Sequence, residues 1–399
     1  MLEMLPQGGV TDALGFLAGA TYAGIKTGGL DLCVVYSERP CNAAATFTTN
    51  KVKAASLLVT QQHVKNGRLQ AIVVNSGNAN ASTGEQGYRD AEEMARLVAE
   101  KVGISPDDVA VCSTGVIGVP LPMDKIRGGV PIIQLSREGG HAAAQGIITT
   151  DTRTKEVAAR VLIGGCTVAI GGMAKGSGMI HPNMATMLAF FTTDADVDCG
   201  YLQTALRRAV DQSFNMITVD GDTSPSDTVL LLANGMAGNP PIDEGTLGAE
   251  EFQAALNFVT VELAKAIARD GEGATKLIEV NVTGAASVKD ARLAARAVAG
   301  SNLLKAAVYG SDPNWGRILA AVGYSGAEVD PNIADVSIGE IALMKNGVIQ
   351  PFDRAAASAA MKGPEVTIGV NLHLGDGVAT AWGCDLTEEY VRINAEYTT

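Results

Sequence analysis

Apolar residues recur along the chain with two spacings. Over 90–102, Met94, Leu97 and Val98 fall at i, i+3 and i+4, Asp90 can cap, Glu92 and Glu93 occupy the first turn and Gly103 follows, which predicts a helix. Two further helices are predicted over 252–268 and 289–307, the second with Leu293, Ala297, Leu303 and Leu304 on its apolar side. Short apolar runs at 71–74, 109–112, 167–170, 187–191, 228–232 and 277–282 read as strands. Asn346-Gly347 and Asp376-Gly377, each between apolar or alternating runs, predict two tight hairpins and hence antiparallel sheet in the last third of the chain. Strands and helices do not alternate regularly, and no internal repeat is visible. This pattern predicts an α+β layered architecture over a doubly wound parallel sheet.

Composition narrows the class of protein. The 399 residues carry 30 Lys and Arg against 43 Asp and Glu, a net charge of −13, with no basic cluster to neutralise phosphates, so nucleic acid is not an expected partner. The longest apolar stretch, 161–173, contains four glycines and is too short to span a bilayer, so no membrane association is expected. No basic residue precedes Lys26, which argues against a secretory or transit segment and leaves a cytoplasmic location as the expectation. Six dispersed cysteines without a C-x-x-C pair are expected to be reduced and mostly buried. With four scattered histidines, no metal site is expected.

Familiar catalytic signatures are missing. No dinucleotide or P-loop glycine pattern is present, and Gly176-Ser177-Gly178 lacks the spacing of a nucleophile elbow. A long glycine-rich passage from Gly171 to Met184 leads into Ala185-Thr186 and a buried-strand pattern. Such a passage lets the backbone strain, so that the Thr186 hydroxyl can approach the preceding carbonyl. Thr114-Gly115, just after a predicted strand, can present successive amides to an oxyanion. Spacing alone is equally satisfied by an ordinary strand threonine and an ordinary turn.

The segment 175–188, Lys-Gly-Ser-Gly-Met-Ile-His-Pro-Asn-Met-Ala-Thr-Met-Leu, resembles the self-cleavage segment of the ArgJ family, the ornithine acetyltransferases. The resemblance runs through 75–80, 113–118, 149–152, 220–224, 271–276 and 310–317 to the end of the chain, and so covers nearly its whole length. It implies a self-cleaving, N-terminal-nucleophile-like fold with mixed sheets, cut between Ala185 and Thr186 into an alpha chain (1–185) and a beta chain (186–399) that assemble as two of each. It implies a ping-pong reaction in which Thr186 takes the acetyl group of N2-acetyl-L-ornithine and passes it to L-glutamate in arginine biosynthesis. Thr114 and Gly115 would stabilise the oxyanion, and Thr152, Lys175, Thr186, Glu272, Asn394 and Thr399 would contact substrate. No cofactor is implied; acetyl-CoA as a second acetyl donor stays open. Two alternatives also stay open: an N-terminal-nucleophile amidohydrolase or aminopeptidase, and an uncleaved amino-acid-binding protein. Cys112, Trp315 and Arg317 are read as structural, Asp220 and Asp222 as turn formers, and His181 as dispensable to the chemistry.

Overall fold

The computed structural model describes residues 2–5, 7–181 and 187–396. Nine strands form one mixed sheet. Its order is Leu2–Leu5, Lys155–Ile163, Cys166–Lys175, Leu188–Thr193, Thr228–Ala233, Leu32–Phe47, Arg68–Asn78 and Val109–Val116, with Phe16–Thr21 beside the first half of Leu32–Phe47. That long strand pairs its second half with Thr228–Ala233 and shifts register against Arg68–Asn78 between Tyr36 and Cys41. The shift spans Ser-Glu-Arg-Pro, whose proline removes a ladder donor.

The centre of this sheet is covered on both faces, which explains why its strands read as continuous apolar runs. All six residues of Leu188–Thr193 are buried. Phe191 joins the core under the helices Cys199–Gln212 and Ala249–Arg269, while Phe190, pointing the other way, packs with Phe16, Met173 and Ile147. Each buried phenylalanine contributes roughly 1.5–3 kcal/mol. A second, six-stranded sheet, ordered Val348–Ile349, Ile341–Lys345, Asp335–Ile338, Glu365–Asn371, Leu277–Ala285 and Gly377–Cys384, shares the larger core. The architecture is the expected layered α+β fold with mixed sheets.

Several elements differ from expectation. The first helix starts earlier, at Gly84, and the segment expected as one helix over 289–307 is two, Val288–Gly300 and Asn302–Tyr309. The Ser301 hydroxyl accepts the Leu304 amide and starts the second of these. Asn346-Gly347 does close a two-residue hairpin, both residues at positive φ, with Lys345 opposite Val348. Asp376-Gly377 does not. Glu365–Asn371 and Gly377–Cys384 lie on opposite sides of Leu277–Ala285, one parallel and one antiparallel to it, so the connection crosses the end of that strand. No helix among the described residues is long and apolar enough to cross a membrane.

Candidate active site

Cys166–Lys175 runs antiparallel to Leu188–Thr193, and its last residue, Lys175, stands opposite Leu188. The chain between them is the glycine-rich passage. Ala185 and Thr186 lie outside the described residues, as does Thr399; the passage is described through His181 and again from Met187.

The described part of this passage is held by side chains distant in sequence. Asp220 accepts the amides of Met179 (2.5 Å) and Ile180 (2.9 Å), the Val219 amide donates to the Ile180 carbonyl (2.8 Å), and Met179 takes a positive φ of 55°. Asp220 also accepts the Asp222 amide (3.2 Å), so it makes the expected local turn as well as the long-range tie. At the head of the next strand, the Thr228 amide donates to the Met187 carbonyl (3.2 Å), and the Met187 amide approaches the carboxyl of Asp227. Asp227 is buried, and burial raises its pKa well above the ordinary carboxyl value; its Oδ2 has no hydrogen-bond partner among the described residues. His181 contacts the Thr218 hydroxyl (3.2 Å), and burial lowers its pKa.

Around Lys175 the structure gathers most of the remaining candidates. Its buried ammonium donates to Thr149 Oγ1 (2.8 Å) and Thr114 Oγ1 (3.4 Å), with an Asp151 oxygen 3.9 Å away. Burial lowers the Lys175 pKa, opposed by the charge of Asp151. The Asp151 side chain is itself fully buried. Burial alone would raise its pKa, but Lys175, Lys155 and the Gly176 amide hold it down at about 2.

Lys155 is clamped between Asp151 and Asp270, at 2.6 Å from each, and Asp270 in turn accepts both the amide (3.1 Å) and the hydroxyl of Thr152. Two residues on, the Glu272 amide donates to the Ser177 carbonyl (2.8 Å), and its carboxylate accepts the Asn394 side chain (2.8 Å). Asn394 is carried there by the helix Glu388–Glu396, whose start packs so closely on Gly273 that a Cβ would lie 2.6 Å from the Tyr390 amide nitrogen. Gly273, at φ +70°, is the residue type that permits the approach.

Thr114 and Gly115 lie next to the end of the strand Val109–Val116, and Gly115 (φ +130°) lies opposite Gly77. A Cβ on Gly115 would sit 2.3 Å from the Gly77 carbonyl carbon. The Asn-Ser-Gly-Asn-Ala-Asn stretch buttresses this turn: Asn75 donates to the Asn78 carbonyl (2.8 Å), and Asn78 to the carbonyls of Val119 and Pro120 (3.0 Å each). Thr114, Gly115, Thr152, Lys175, Glu272 and Asn394 are thereby tied into one neighbourhood.

Asp151, Lys155, Asp270 and Asp227 carry the electrostatics and were not singled out by sequence. Lys155 heads a strand whose inward positions are apolar, an available signal for a buried, paired lysine. Cys112 is buried in its strand, and Arg317 donates to the Leu303 carbonyl (2.6 Å) from the surface, both in line with structural roles. Among the described residues, no group of three or more His, Cys, Asp or Glu could hold a metal ion.

A model of the ArgJ family matches residues 17–399. The chain belongs to the ArgJ family. Among curated ArgJ relatives, the arginine biosynthesis bifunctional protein ArgJ of Symbiobacterium thermophilum is 58% identical over 98% of this chain and 99% of its own. That of Dehalococcoides mccartyi is 53% identical over 100% and 99%. A solved chain of the bifunctional ArgJ protein of Bacillus halodurans is 50% identical with a TM-score of 0.52, and its whole length corresponds to 53% of this ArgJ chain.

Proposed function

We propose that the protein transfers the acetyl group of N2-acetyl-L-ornithine to L-glutamate in arginine biosynthesis, through an acetyl-threonine on Thr186. A threonine hydroxyl is a weak nucleophile unless a base adjoins it, and an α-amine, with an ordinary pKa near 7.7–8.0, is such a base. Cleavage between Ala185 and Thr186 creates that amine, leaving chains of 185 and 214 residues that stay together and pair as two of each. The share of this chain matched by the whole solved relative, 53%, is close to that of a 214-residue chain, which supports the division.

In this reading Thr186 Oγ attacks the acetyl carbonyl, and Thr114 with the Gly115 turn stabilises the oxyanion. Ornithine leaves, and glutamate takes the acetyl group. Lys175 suits an α-carboxylate, and Glu272, oriented by Asn394, suits the ornithine ammonium; Thr152 and Thr399 complete the family's substrate contacts. No cofactor enters these steps. Acetyl-CoA as a second donor is supported by the relatives' designation as bifunctional, and a cytoplasmic location fits a biosynthetic role.

The observation that carries the reading is one buried cation, Lys175, bonded to the Thr114 hydroxyl and within the electrostatic reach of one carboxylate, Glu272, the charge pattern that an acetylated diamino acid requires. The experiment is to incubate the protein with acetylornithine, with and without glutamate. Sustained ornithine production should require glutamate; equal production without it would make the enzyme a hydrolase.

A further inference from the structure

Acetyl transfer of this kind sets one nucleophile between two amino acids whose side chains end in opposite charges. Ornithine ends in an ammonium and glutamate in a carboxylate. Glu272 suits the first and repels the second, so the acceptor needs a cation elsewhere.

A cleft of about 940 Å³ adjoins the reaction centre, its wall including Lys26, Gly77, Val116, Ile148 and Thr149. It meets the centre at two points. Thr149 Oγ1 lies 2.8 Å from the Lys175 ammonium, and Gly77 is pressed against Gly115. Lys26 packs on Gly77 as well, so closely that a Cβ there would sit 2.6 Å from Lys26 Cγ. One glycine therefore separates the Lys26 stem from the oxyanion turn.

The loop bearing Lys26 is pinned. The buried carboxylate of Asp31 accepts the amides of Ala23 (2.6 Å), Ile25 (2.6 Å) and Lys26 (3.0 Å), engaging both its oxygens. The Lys26 ammonium donates to the Ile148 carbonyl (2.9 Å), and no carboxylate among the described residues forms an ion pair with it. Burial lowers its pKa, opposed by the charges of Asp31 and Asp151, while Lys175 lowers it further. A half-buried ammonium with a neutral partner, on the wall of a cleft beside the reacting groups, is a seat for an anion.

We propose that Lys26 binds the side-chain carboxylate of the acceptor glutamate, while the donor's ammonium is held by Glu272, so that the two half-reactions use opposite ends of the site. This rests on the acetyl-transfer reading. The test is Lys26→Met, with Lys26→Arg as the charge-preserving control and Lys26→Gln as the replacement should the methionine variant not fold. Single-turnover release of ornithine from acetylornithine reports the first half-reaction, and KM for glutamate and for its neutral isostere glutamine reports the second.

For Lys26→Met, KM for glutamate should rise tenfold or more relative to KM for acetylornithine. The preference for glutamate over glutamine should fall by a similar factor, and Lys26→Arg should restore most of both. Equal increases in both KM values would place an α-carboxylate at Lys26 and overturn the proposal, as would an unchanged preference. Absence of ornithine release from the unaltered protein would instead overturn the acetyl-transfer reading.

Discussion

The ammonium of Lys175 stands 3.4 Å from the hydroxyl of Thr114, joining the end of Cys166–Lys175 to the end of Val109–Val116 across the nine-stranded sheet. A buried cation at that position strengthens the Thr114 hydroxyl as a donor to developing negative charge. Thr114→Ala should lower kcat by about 10²–10³ with little change in KM, the cost of one lost oxyanion donor. Lys175→Met should lower kcat and raise KM together. Steady-state kinetics with acetylornithine and glutamate checks both.

The Lys155 clamp leads to a stability prediction. Removing one partner of a buried pair leaves an uncompensated charge, so Asp270→Ala should cost about 3–5 kcal/mol in denaturant unfolding at neutral pH. Asp151, held at about 2 from an ordinary 3.8, stabilises the folded state by on the order of 2 kcal/mol. Because the folded value is the lower one, this contribution is present above about pH 4 and is lost as pH falls toward about 2. Stability against pH should therefore be flatter over that window in Asp151→Asn than in the unaltered protein.

Asp227 carries the opposite sign. Burial raises its folded pKa, so its ionisation opposes folding increasingly as pH rises above the ordinary carboxyl value. Asp227→Asn keeps an acceptor for the Met187 amide and removes the ionisable oxygen. Its thermal midpoint should exceed that of the unaltered protein at pH 8, with the difference shrinking toward pH 4.

Much of this site was legible as residue identities and little of it as interactions. Thr114, Lys175 and Glu272 stand in recognisable motifs, and the central strands announce themselves because both faces are buried. The long strand Leu32–Phe47 was missed because Glu38-Arg39-Pro40 interrupts its apolar run where it changes partners. The break at Ser301 was hidden because apolar spacing continues on both sides of a cap. Asp270 and Asp220 act across 115 and 41 residues, to Lys155 and Met179, and no local pattern records such a tie.

Gly178 abuts the Glu272 carboxylate, where an added Cβ would lie 2.4 Å from Oε2. A side-chain end can swing aside, so Gly178→Ala should fold but displace Glu272. KM for acetylornithine should rise about tenfold or more, the loss of one charge-assisted contact, while the thermal midpoint changes little.

The proposed reaction requires Thr186 to become an amino terminus. Denaturing mass spectrometry of enzyme with measured acetyl-transfer activity tests it most directly. Two chains should appear, of 185 and 214 residues, the second beginning at Thr186, while Thr186→Ala stays whole and inactive. An intact 41.1 kDa species as the sole component of active enzyme would contradict the account.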